Sequence, residues 1–304
     1  MPSTAACPTA PAARTAGWTR HRRRAAWALA MLLAVVGAAG CATPGQGSDG
    51  VPVLLHRLGR VDLLLLGEQH DAPEHQQLQL AVVNELTHWN ELAALVLEMA
   101  DADHDTRALP PTASEGQVRH ALGWRDTAWP WAAYGPTVMA AVRAGVPVIG
   151  GNLPRQDNVA TMRQPAWDLR VPPDVLAQQH HAVDEGHCQL LPQGQIAPMA
   201  RVQIARDVQL AATLTAAAVP GKTALLLTGS QHAHRVTGVP LHLPEHLRTR
   251  SVRLDASGPR PDDAPAFDAV WPTSPVPPRD FCRELAGQWP ARSDTPDTAP
   301  PSAP

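Results

Sequence analysis

Two histidines and two glutamates in this chain are placed where side chains commonly do chemistry. Glu68 and His70 lie in Gly67-Glu68-Gln69-His70, and His232 closes Gly229-Ser230-Gln231-His232, about 160 residues further on. Glu98 directly follows a third apolar run, Ala94-Leu95-Val96-Leu97. A glutamate beside a histidine fixes the imidazole tautomer and leaves the far ring nitrogen as a general base or a metal donor. Two histidines with a carboxylate are also the ligand types of an open divalent-metal site, with zinc a natural occupant. Neither a Gly-x-Ser-x-Gly nucleophile elbow nor a His-Glu-x-x-His helix occurs, which removes two common hydrolase classes.

Each motif follows a short apolar run: Leu63 to Leu66, entered through Val61-Asp62, before the first, and Ala224 to Leu227 before the second. Such runs read as strands buried on both faces, as in a parallel sheet covered by helices. In sheets of that kind ligands gather beyond the carboxyl ends of the strands. A fourth such strand is expected at Val146–Gly151, leading into Asn152-Leu153-Pro154-Arg155, and a final pair at Ser251–Leu254 and Phe267–Trp271. Leu78, Val82 and Leu86, with Val83 beside them, predict an amphipathic helix opening at Pro73-Glu74. Further helices are expected from Pro136 to Arg143 and from Met199 to Ala218, while Leu54–Leu58 reads as a short helix or strand. The segment 101–120 reads as a polar excursion, and 160–195 carries no clear periodicity. The alternation predicts an α/β fold with a mainly parallel central sheet flanked by helices, as one domain over residues 51–287. Its polar edge collects Glu68, His70, Glu98, Asn152, Arg155 and His232.

The start of the chain has the layout of a secretory signal: Arg20, Arg22, Arg23 and Arg24, then an apolar stretch from Ala25 to Ala39. It closes on Gly37-Ala38-Ala39-Gly40-Cys41, which resembles a bacterial lipoprotein cleavage site, with Ala38 where leucine is more usual. The expectation is a signal peptide over 1–40, lipidation at Cys41 and a tether over 41–50. Residues 288–304 read as a disordered Pro-rich tail. Ala42 after the cysteine, in place of Asp, is similar to lipoproteins sent to the outer membrane, facing the periplasm. Residues 1–40 hold five of the 25 Lys+Arg and none of the 28 Asp+Glu, so the mature chain carries a net of −8. That balance gives no basic face for nucleic acid. With no second span expected, the acyl anchor is the membrane contact. Cys188 and Cys282 remain after Cys41; an oxidising compartment would permit their pairing, though nothing in the sequence brings them together.

The ordered set of motifs resembles the ChaN family of haem-binding uptake lipoproteins. It comprises Gly67-Glu68-Gln69-His70-Asp71, Leu97-Glu98-Met99, Gly123-Trp124, Trp131 to Tyr134-Gly135-Pro136, Asn152 to Arg155, His187-Cys188, Gln203 with Arg206-Asp207, and Gly229 to His232 running on to Leu243. The closing segments Phe267–Trp271 and Arg279–Cys282 fit as well, so the resemblance covers roughly Leu54 to Leu285. It implies iron or haem acquisition by a homodimer with two stacked porphyrins and a tyrosine on iron, feeding an outer-membrane haem or iron receptor. Tyr134 is the one tyrosine in the chain and sits at the matching motif, so the resemblance makes it the ferric-haem ligand. A phenolate oxygen suits ferric iron. Trp124, Trp129 and Trp131 would wall the porphyrin. His70 and His232 lead the candidates for a second haem partner, ahead of His104 and His120, and Arg155 and Arg206 would meet the propionates.

A rival expectation is a hydrolase. The Gly-Glu-x-His and distant Gly-x-x-His pattern is also similar to the wider superfamily of erythromycin-esterase-like hydrolases and Tiki-type metalloproteases. There Glu68, His70, Glu98 and His232 would activate water or hold a divalent metal. Tyr134 separates the two readings, because the hydrolase gives it no task.

Overall fold

The computed structural model describes residues 50–258 and 266–287. The signal peptide, the lipidation site Cys41, the tether up to residue 49 and the tail expected over 288–304 lie outside the described residues. Six strands form one sheet: β1 Leu63–Glu68, β2 Leu92–Asp101, β3 Val148–Asn152, β4 Thr223–Gly229, β5 Thr249–Asp255 and β6 Ala269–Pro272. Their order is β3-β2-β4-β1-β5-β6 and every pairing is parallel. The two strands that carry the glycine–histidine motifs are therefore direct neighbours at the centre of the sheet. Both are buried along their whole length, which is why their sequences are leucine runs rather than alternations.

Alternate residues of these strands feed two cores. Leu64, Leu66, Leu95, Leu97, Leu225 and Leu227 pack under α1 (Val51–Leu58), α2 (Pro73–His88), α3 (Glu115–Ala121) and α4 (Trp131–Arg143). Leu63, Leu65, Ala94, Val96, Ala224 and Leu226 face the opposite layer. That layer is built on α7 (Gln193–Ala216), against which α5 (Asn158–Met162) and α6 (Pro173–Gly186) pack. Among the described residues no helix is long and apolar enough to cross a membrane.

The α2 stripe is as expected, with Leu78, Val82, Val83 and Leu86 all buried. Two helices begin earlier than the sequence predicts. Pro136 and Pro198 stand inside α4 and α7, five residues beyond Trp131 and Gln193, the first helical residues. A proline at that depth removes one hydrogen bond of an early turn, and the packed faces on either side hold the helix through it. The segment without clear periodicity contains α6, whose buried positions are sparse: Val175, Gln179 and Val183. Cys188 and Cys282 form a disulfide across 94 residues, tying the turn after α6 to a short C-terminal helix, Phe281–Ala286.

Candidate functional site

Register sets the two glutamates at one level. Glu68 pairs with Gly229 across β1 and β4, while Leu97 pairs with Leu227 across β2 and β4, so Glu98 stands one residue short of that level. Strand alternation sends them to opposite layers: Glu68 has the parity of Leu64 and Leu66, and Glu98 that of Ala94 and Val96. Each carboxylate is buried, and each supports one histidine.

On the α2/α4 side, Glu68 Oε1 lies 2.7 Å from His70 Nδ1 and accepts from the Tyr134 hydroxyl at 2.6 Å. Its Oε2 accepts from Gln79 Nε2 at 2.6 Å and Gln76 Nε2 at 3.1 Å. In its neutral form His70 donates Nδ1–H to the carboxylate and keeps its Nε2 lone pair free. The His70 side chain is 40% exposed, and Trp129 stacks edge-on against it at 4.8 Å between centroids. Burial opposes charge on His70, but Glu68 and Glu98 outweigh it and raise its pKa above the ordinary value.

On the α7 side, His232 Nδ1 lies 2.6 Å from Asp207 Oδ1, and its Nε2 lies 3.6 Å from Glu98 Oε1. Glu98 Oε2 accepts from Thr228 Oγ1 and the Gly229 N–H, both at 2.7 Å. Burial opposes ionisation of both His232 and Glu98, yet the pairing prevails. Glu98 and Asp207 lift His232 to about 9, and His232, His70 and the two donors bring Glu98 down to about 2.

The two Gly-x-x-His loops nest on each other through their glycines. A Cβ on Gly67 would stand 2.8 Å from Ala233 Cβ and 2.9 Å from Ser230 Cα. One on Gly229 would stand 3.1 Å from His70 Nε2 and 3.7 Å from Glu98 Oε2. The same atom-sized space thus brings His70 and Glu98 together, and glycine keeps it open. Beside it lies a cleft of about 360 Å³ lined by Glu98, Asp101, Arg125, Trp129, Asn152 and Arg155, with Asn158 and Arg206 completing its polar wall.

Several expected residues take other places. Tyr134 is 2% exposed, covered by Trp124 and Trp129, and its hydroxyl is committed to Glu68. Burial and the Glu68 charge raise its pKa far above that of a free phenol, so this conformation does not present a phenolate to a ligand. Trp131 is likewise a core residue, 8% exposed, donating from Nε1 to Glu115 Oε2 at 3.1 Å and packed edge-on against Trp124. Of the three tryptophans, Trp129 lines the cleft. His120 lies in a separate surface depression with Arg119 and Trp124, and His104 sits against Gly123. Among the described residues no three His, Cys, Asp or Glu side chains assemble as a metal cage, so the zinc alternative finds no ready ligand set.

The sequence reading missed Gln76 and Gln79, which anchor Glu68, and Arg125. The glutamines left a signal. His75, Gln79, Val82 and Leu86 fall at one helical face, so polar residues occupy core-facing positions of α2 and are buried there. Asp207 was legible as part of a motif, without its role as the partner of His232.

Fold and edge together define a class: a parallel α/β protein with two carboxylate-held histidines gathered where its two central strands end. The model of a family described as haem-binding uptake, Tiki superfamily, ChaN matches residues 54–243, and the chain belongs to that family. Family membership supports a haem-binding role. A solved structure of cofacial heme binding to ChaN of Campylobacter jejuni superposes with a TM-score of 0.60 at 23% identity, over 72% of this chain and 89% of that one. At that identity the likeness is one of fold. A Bacillus cereus protein aligns over 70% of each chain with a TM-score of 0.33 and 14% identity, too distant to carry an argument. No curated protein matches the sequence.

Proposed function

We propose that this protein is a haem-binding lipoprotein of the bacterial outer membrane, anchored through Cys41 and facing the periplasm. In this reading it takes ferric haem at the His70–Trp129 edge, works as a homodimer and passes its cargo toward an outer-membrane haem or iron receptor. The observation that carries the reading is His70: its Nδ1 is held by Glu68, its Nε2 is free, and Trp129 and an arginine-lined cleft flank it. A neutral imidazole with a carboxylate behind it would be a good donor to haem iron. Haem would supply the iron and the flat apolar surface, and the chain would supply the donor, the aromatic wall and the positive charge. The cleft is near the small end of the roughly 300–1,000 Å³ range of ligand pockets, so one protomer would cover an edge of a porphyrin and leave a face for a second copy.

Tyr134 takes the iron under this reading only if its proton passes to Glu68 and Trp129 moves aside. The test is hemin titration of the full chain in mild detergent, followed by absorption spectrum and particle size. Saturable binding near one haem per chain, lost in His70→Ala and kept in Tyr134→Phe, is the expected result. Loss of a phenolate-type spectrum in Tyr134→Phe with His70→Ala unaffected returns the ligand role to Tyr134.

One observation favours the second reading, a hydrolase. His70 and His232 each have Nδ1 bound to a carboxylate, and Glu98 stands between them, an arrangement able to activate water. Absence of saturable hemin binding, together with turnover of an ester or peptide panel that His70→Ala abolishes, would establish it.

A further inference from the structure

We infer that the cleft beside His70 is a carboxylate-binding subsite built on Arg155 and Arg206. This deepens the haem reading above and rests on it for the identity of the ligand, not for the chemistry of the subsite. Three arginines line the cleft: Arg125, Arg155 and Arg206. Arg125 is partly engaged, with Nη2 at 3.5 Å from Asp101 Oδ1. Neither the Arg155 nor the Arg206 guanidinium has a carboxylate partner among the described residues, although most other arginines there are paired. Arg206 Nε is moreover shielded from solvent with no hydrogen-bond partner.

A guanidinium N–H in that condition is costly, because it has given up water and gained nothing in return. The neighbouring amides repeat the pattern. Asn152 Nδ2 donates to the Glu98 carbonyl at 2.8 Å, which fixes the orientation of its amide and leaves Oδ1 buried and unpartnered. Asn158 Oδ1 is in the same state. The two amide oxygens are acceptors and call for donors such as ordered water, whereas the Arg206 N–H calls for an acceptor on the ligand.

The sign of that group follows from the charges. Glu98 already accepts from Thr228 and Gly229 and faces His232, and Asp101 faces Arg125. The unspent charge in the cleft is therefore positive, on two guanidinium groups whose planar forks match a carboxylate. Arg206 also moderates the Asp207 carboxyl, but a purely local balancing charge has no need of a stranded Nε. Trp129 lines the cleft with the arginines and packs against His70, so a ligand whose carboxylate sits on Arg155 and Arg206 would lay its apolar body on the indole toward the imidazole. Porphyrin propionates have this form, and so do small dicarboxylates.

The two sources are separated by titrating the full chain in mild detergent with hemin, hemin dimethyl ester and glutarate, read by tryptophan quenching and the Soret band. Hemin is expected to bind roughly tenfold to a hundredfold more tightly than its ester, the worth of one charge-assisted hydrogen bond or two. In Arg155→Gln/Arg206→Gln, hemin should fall to the affinity of the ester, with an unchanged melting temperature showing that the fold is intact. Equal binding of acid and ester by the native protein, or a preference that survives the double substitution, overturns the subsite. If neither porphyrin binds, the haem reading fails by itself and glutarate decides the subsite. Saturable glutarate binding lost in the double variant sustains it, and no glutarate binding removes it.

Discussion

Replacing Glu68 by glutamine tests whether this carboxylate is the support of the site. The native side chain takes four hydrogen bonds, two on each oxygen, from His70, Tyr134, Gln76 and Gln79. A glutamine has one oxygen, so its NH2 must face one pair of donors. The pair able to adapt is on α2, because Gln79 carries a buried, unpartnered Oε1 that a turned amide would present to the new NH2. The new oxygen then stays with Tyr134 and His70, without its charge. Two charge-assisted bonds become neutral ones, at about 1 kcal/mol each, and the bond from Gln76 is lost, for a total of about 2–3 kcal/mol. At about 2–4 °C per kcal/mol for a domain of this size, Glu68→Gln should melt about 5–10 °C below the native protein. Its hemin affinity should fall as well, because a neutral amide oxygen behind Nδ1–H makes the His70 imidazole a weaker donor than a carboxylate does. Circular-dichroism melting and hemin titration on the same preparation read both effects. A melting point within about 2 °C of native, with unchanged hemin affinity, would refute the network as described.

The nested glycines predict a contrast: Gly67→Ala meets backbone and Ala233, and should cost roughly 1–3 kcal/mol by overpacking, seen as lower denaturant resistance. Gly229→Ala meets the tip of the partly exposed His70 ring, and should weaken hemin binding with a smaller change in melting. Because His232 is raised from 6.5 to about 9 in the folded state, its contribution is complete below pH 6.5 and is lost as pH rises through 9. Stability should therefore fall by an amount of order 3 kcal/mol across that window, and His232→Gln should flatten the profile. Reduction of Cys188–Cys282 releases a 94-residue constraint worth up to about 4.7 kcal/mol in the chain-entropy account, and should lower the melting temperature and expose the C-terminal helix to protease.

The elements that entropy and burial dictate locally were legible in the sequence. Uninterrupted leucine runs gave β1 and β4, a period of four gave α2, and a glycine–histidine ending on each strand gave the polar edge. Features that depend on distant contacts were not. The commitment of Tyr134 to Glu68 joins residues 66 positions apart, and the disulfide joins residues 94 apart. The start of α4 was misplaced because proline is a good first helical residue, and that of α7 because the helix was expected to begin only after Pro198; a packed helix tolerates proline five residues in. Trp131 and Trp129 differ by two positions in sequence, yet one is core and the other lines the cleft, because Trp131 opens α4 while Trp129 lies in the bend ahead of it.

Glu68 explains why the lone tyrosine at the family motif is turned inward in this structure. A buried carboxylate at the end of a central strand requires donors on every side, since its desolvation is offset only by hydrogen bonds. Tyr134 provides one such bond, the α2 glutamines two, and His70 the last, so the outermost partner is the histidine. The tyrosine and the histidine thus share one carboxylate oxygen, and a change in one is felt by the other. If iron drew the phenol away from Glu68, His70 would remain as the sole donor on that oxygen. If iron took His70 Nε2, the Nδ1–H bond to Glu68 would strengthen as the ring gained positive character, with Tyr134 still in place. The second course breaks no existing hydrogen bond and uncovers no buried ring, and that difference is the physical ground on which His70 is proposed as the donor.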